Sequence, residues 1–156
     1  RGPLWFQLYW MPDRGALRAL IAQEKGDAQI WDLKLARGGM MDIEFIAQYL
    51  ALRHAAAQPG LLKVETQEIL RAAAQCRLLD AAQGEKLVAA HRLYTILMQM
   101  FRLSTEGAFD PQTMATGVLR RIAAAADLPD FRLLEGVLAD QRAEVRSIFE
   151  AILGVA

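Results

Sequence analysis

The sequence has a single cysteine, Cys76, which excludes an internal disulfide and fits a reducing compartment. Its helical surroundings, Ala74-Gln75-Cys76-Arg77-Leu78, favour a small packing residue over a nucleophile. Only two serines occur, Ser104 and Ser147, and neither lies in a Gly-x-Ser-x-Gly elbow. The two histidines, His54 and His91, have no partner at metal-ligand spacing. They read as a boundary residue and a packed or hydrogen-bonded one. No apolar run approaches the ~20 residues that cross a bilayer, and the start lacks the pattern of a signal peptide. Net charge is missing too: 18 basic residues balance 18 acidic ones, so no overall field recruits nucleic acid. A cytoplasmic, non-membrane setting without nucleic acid is the expectation.

What is present is alanine, leucine and a hydrophobic fraction of 54%, with few β-branched and aromatic residues. At 156 residues the chain suits one domain with its own core. The periodicity implies an all-α bundle of about six helices over residues 16–154, preceded by an aromatic arm or junction over residues 1–15. That arm concentrates Trp5, Phe6, Tyr9 and Trp10, and is either a short strand or irregular. Its apolar area packs on the helices or faces a neighbour. The absence of an initiating Met suggests a piece of something longer.

The first helix is expected from Pro12-Asp13 to Gly26, and an extended connector from Asp27 to Arg37. Gly38-Gly39 makes a turn, and a helix follows from about Met40 to Ala57. The third helix opens at Thr66 as N-cap and reaches about Leu79. Asp80 with Gln83 resembles a capping box for a fourth, running to about Thr105. Its broad apolar face, with Leu87, Tyr94, Leu97 and Phe101, marks it as the central helix. Asp110-Pro111 opens the fifth helix, and Asp130 caps the sixth, which ends at Gly154.

Chemistry concentrates between Asp32 and Leu50. Asp42 and Glu44 look like a metal-binding acid pair, but on a helix that spacing separates side chains by roughly 200°. No other Asp-x-Asp or Asp-x-Glu pair completes a two-metal site. Asp42 instead answers the free N–H groups of the first turn. The Gly38-Gly39 turn beside Lys34 and Arg37 is either a phosphate-facing corner or a plain turn.

The whole string says more. Asp32-Leu33-Lys34-Leu35, then Gly38-Gly39, then Asp42-Ile43-Glu44-Phe45-Ile46-Ala47-Gln48-Tyr49-Leu50 resembles the start of the helical domain in glutamine synthetase adenylyltransferases. That family carries a motif like Asp-Leu-Lys-x-x-Pro-Gly-Gly-x-x-Asp-Ile-Glu-Phe after each nucleotidyltransferase unit. The likeness continues through Leu52-Arg53-His54-Ala55, Gly60-Leu61, Phe109-Asp110-Pro111 and Asp127-Leu128-Pro129-Asp130-Phe131. Arg37 stands where the family has Pro, and residues 1–15 match no family pattern.

The resemblance implies a parent enzyme whose halves attach AMP from ATP to glutamine synthetase and remove it by phosphorolysis, under control of glutamine and the PII signalling protein. This chain resembles the C-terminal helical domain after the adenylylating half. The resemblance puts magnesium (Mg2+) and ATP on an upstream nucleotidyltransferase domain, with no catalytic residue, metal or cofactor held by this chain alone. Lys34, Arg37, Gly38, Gly39, Asp42 and Glu44 are then candidates to brace that domain or line its nucleotide cleft. In the alternative they only fix the start of the bundle, with Glu44 salt-bridged internally. A reading of another class makes the chain a module docking PII or glutamine synthetase, through Arg120-Arg121 or Arg142 and Arg146.

Overall fold

The computed structural model describes residues 30–154. Within them lie five α-helices and two 3-10 turns, and no strand. The helices are α1 (Met40–His54), α2 (Thr66–Gln75), α3 (Ala81–Ser104), α4 (Thr116–Ala125) and α5 (Arg132–Leu153). They correspond to the second to sixth expected helices. The first expected helix and the aromatic arm lie outside the described residues.

The long apolar face of α3 makes it the hub, packed against each of the other four helices. Its Leu87, Ala90, Tyr94 and Leu97 are almost fully buried. Leu134, Leu138, Val145, Ile148 and Phe149 form the buried stripe of α5 against α1 and α3. At the α2–α3 crossing Gly84 is buried, and a Cβ there would stand 3.0 Å from the Ala74 Cβ. α1 has buried residues on nearly every side, from Met40 and Met41 to Leu50 and Ala51.

Several expected boundaries move, each for a local reason. Residues 30–39 form successive turns rather than an extended connector. Asp32 Oδ1 accepts from the Leu35 N–H (3.1 Å), and the Leu33 carbonyl accepts from the Met40 N–H (2.7 Å). Helix α1 stops at His54 instead of Ala57, and His54 then accepts from the Gln58 amide at 2.8 Å. Thr66 is already helical, with Glu65 at the N-cap and no side-chain cap. Nor does the Asp80–Gln83 capping box form: Asp80 is the N-cap, but its carboxylate makes no capping bond.

Helix α2 ends at Gln75 rather than Leu79, because Arg77 takes a left-handed φ of 59° and turns the chain. The Leu78 N–H then closes onto the Ala73 carbonyl (2.9 Å). Asp127 (φ 56°) ends α4 similarly, with Leu128 N–H on the Ala123 carbonyl at 2.8 Å. Asp110-Pro111 opens only a 3-10 turn, Pro111–Thr113, capped by Asp110. Met114 and Ala115 are extended before α4 begins. Phe131, not Asp130, is the N-cap of α5, although Asp130 Oδ1 accepts from the Arg132 N–H at 2.9 Å.

Candidate functional site

The turn before α1 has no helix of its own, so its position is decided by what holds its backbone. Gly38 adopts φ 75°, a left-handed conformation suited to glycine. Space demands glycine as well, since a Cβ at Gly38 would stand 2.0 Å from the Arg142 carbonyl oxygen. At Gly39, the N-cap, a Cβ would come within 2.6 Å of the Leu33 carbonyl oxygen and 2.8 Å of that of Ala36.

Asp42 occupies the third position of α1 and is 0% exposed. Its Oδ2 accepts the Gly38 N–H at 2.6 Å and faces Arg146 Nη1 at 3.6 Å. The carboxylate therefore reaches back before the helix, as the acidic half of a capping box does. Arg146 is itself fixed three ways. Beyond Asp42, its Nε donates to Glu150 Oε1 at 2.8 Å, and its guanidinium lies 4.7 Å from the centre of the Phe149 ring.

The other polar atoms of the turn are claimed from α3 and α5. Tyr94, fully buried, donates its hydroxyl to the Gly38 carbonyl at 2.9 Å. Burial pushes its ionisation up, with Arg142 opposing and the Asp42 carboxylate adding, so it stays a neutral donor. Arg142 Nε donates to the Arg37 carbonyl at 3.0 Å.

Of the six residues singled out in sequence, Gly38, Gly39 and Asp42 are buried, Lys34 and Arg37 are exposed, and Glu44 is half-buried. Burial holds the Glu44 carboxyl above its usual range, and the nearby Lys34 charge opposes that. Among the described residues Glu44 makes no ion pair. Tyr94, Arg142 and Arg146 complete the corner, and sequence reasoning had not assigned them to it. A usable signal was that Arg142 and Arg146 sit four apart beside the apolar stripe of α5, where a long cation reaches inward.

Other candidates lie elsewhere. His91 is half-buried, with Nδ1 3.0 Å from Gln67 Nε2, and its pKa is lowered by burial against the pull of Glu65. Cys76 is a free thiol, half-buried, its Sγ 3.5 Å from Gln58 Oε1. Among the described residues no group of three or more His, Cys, Asp or Glu could hold a metal ion. No helix there is long and apolar enough to cross a membrane.

The sequence profile of the family described as GlnD PII-uridylyltransferase matches residues 15–153. The chain belongs to that family. Curated relatives of the chain carry the name bifunctional glutamine synthetase adenylyltransferase/adenylyl-removing enzyme. The one from Bradyrhizobium diazoefficiens is 46% identical over 141 residues, which is 90% of this chain and 14% of that protein. A Rhodopseudomonas palustris relative (strain HaA2) is 44% identical over 142 residues, 91% of this chain and 14% of its own length. The Xanthobacter autotrophicus relative is 41% identical over 140 residues, with 90% and 14% covered. The resemblance read from the Asp32–Leu50 string thus extends over most of the chain. This member of the GlnD PII-uridylyltransferase family spans about 14% of the length of those relatives.

Proposed function

We propose that this chain is the helical domain of a bifunctional enzyme that attaches AMP from ATP to glutamine synthetase and removes it. In this reading its Lys34–Glu44 corner meets the nucleotidyltransferase unit beside the nucleotide. The observation that carries this is the contrast within the corner. Asp42, Gly38 and Gly39 are spent on holding the turn rigid, while Lys34 stands exposed near the half-buried Glu44 carboxylate and Arg37 is exposed at the turn. A rigid turn that presents cations suits anionic phosphate or an acidic face of a catalytic domain.

Gly38, Gly39 and Asp42 serve that interface from beneath; Lys34, Arg37 and Glu44 form its face. In keeping with the family resemblance, magnesium and ATP belong to the catalytic unit. This domain contributes position and charge. Glutamine synthetase as the protein substrate of the whole enzyme is supported by the relatives' names, and PII as its regulatory partner by the family resemblance; the single cysteine fits a cytoplasmic setting. If a partner protein docks on this domain directly, Arg120 and Arg121 are the better cations for it, being exposed on α4, whereas Arg142 and Arg146 are engaged at the corner.

The test is substitution in the intact enzyme. Lys34→Ala and Glu44→Ala should each lower AMP transfer about tenfold while the melting temperature stays within a few degrees of the parent. Lost stability with unchanged transfer would make the corner a purely structural element.

A further inference from the structure

The turn that presents Lys34 and Arg37 is closed by local hydrogen bonds and is also held from far along the chain. Both polar groups of Gly38 are taken by side chains: its N–H by Asp42 and its carbonyl by Tyr94, 56 residues on. The preceding carbonyl, of Arg37, is taken by Arg142, 105 residues on. The same residue's backbone carbonyl lies where a Gly38 Cβ would be, so side chain and main chain of α5 both register against the turn. Arg146 adds the counter-charge that lets the Asp42 carboxylate stay buried.

These contacts exceed what docking α5 requires. Its apolar stripe of Leu134, Leu138, Val145, Ile148 and Phe149 already buries the helix against its neighbours. Polar contacts of fixed direction add register instead, because a hydrogen bond tolerates little displacement.

We propose that Tyr94, Arg142 and Arg146 are positioning residues for the Lys34–Glu44 corner: α3 and α5 set the backbone of the Arg37–Gly38 turn and, through it, the place of the exposed cations. This rests on the reading of the corner as the face toward the catalytic unit. It also gives α5 a role beyond packing, since a shift of that helix moves the turn with it.

The experiment is a double-mutant cycle in the intact enzyme, at a temperature well below unfolding. Arg142→Met and Tyr94→Phe should each lower AMP-transfer turnover about fivefold, with the fully folded fraction unchanged. In a Lys34→Ala background Arg142→Met should cost little further, because both act through one corner. Arg146→Lys should recover part of what Arg146→Met loses. Should Arg146→Met fail to fold, exchange of the Gly38 amide in Tyr94→Phe and Arg142→Met supplies a second readout; it should quicken at least about tenfold while α3 core amides keep their rates.

Full turnover in Arg142→Met and Tyr94→Phe, or losses that simply add to that of Lys34→Ala, would overturn the positioning role. So would a slow Gly38 amide in both variants. Full turnover in Lys34→Ala alone would instead overturn the reading of the corner, and the proposal with it.

Discussion

The connector over residues 30–39 is fastened at its two ends by opposite kinds of interaction. At its start Trp31 sits among rings: stacked on Phe131 with centroids 5.4 Å apart, and edge-on to Phe109 and Phe101 at 5.5 and 6.0 Å. Phe101 and Phe109 stack at 3.9 Å beneath it. At its end Gly38 is held by a buried carboxylate and a phenol, and the neighbouring Arg37 carbonyl by an arginine. Apolar burial is non-directional and forgives changes of shape, so long as area and volume are kept. The polar end gains geometry and loses tolerance, because each buried donor and acceptor depends on one partner.

That contrast breaks most sharply at Gly38. Gly38→Ala should destabilise the chain by about 3 kcal/mol or more, since a rigid carbonyl cannot give way and the φ is left-handed. Urea unfolding measures it. Trp31→Leu should cost less, about 1–2 kcal/mol, because the surviving rings still cover one another. If Trp31→Leu proves the costlier change, the assignment of tolerance to the aromatic end is wrong. The smallest effect sharpens the comparison by pH. The folded chain holds the Glu44 proton more tightly than the unfolded chain, where the ordinary value is 4.5. Stability should therefore fall as pH rises from that value through the raised one, and Glu44→Gln should flatten the curve. Melting temperatures between about pH 4 and 7 would show it, and an identical slope in Glu44→Gln would remove Glu44 as the source.

Much of this was readable from sequence where the signal is local. Apolar spacing in threes and fours located α1 to α5, and the central place of α3 followed from the width of its face. The Gly38-Gly39 turn and the first-turn place of Asp42 were visible because glycine and helix geometry act within a few residues. What failed were fine endings. Thr66 and Asp80 have the chemistry of caps but make no capping bond, and Pro111 opens a 3-10 turn instead of α4. The left-handed bends at Arg77 and Asp127 use non-glycine residues, so no glycine announced them. The partners of the corner were illegible for a different reason. Nothing near Asp42 names Arg146, and nothing near Arg37 names Arg142, since contacts across a hundred residues leave no periodic trace. The internal salt bridge considered for Glu44 is absent among the described residues, where Asp42 is the carboxylate paired with α5.

The distance from Arg37 to Arg142 has a consequence for the order in which the fold is completed. Chains emerge from the ribosome beginning at the N-terminus, and local contacts close before distant ones. Helices α1 to α3 can therefore pair with one another well before the residue that closes the turn exists. The corner nearest the start of the described chain thus takes its final shape only when α5 docks.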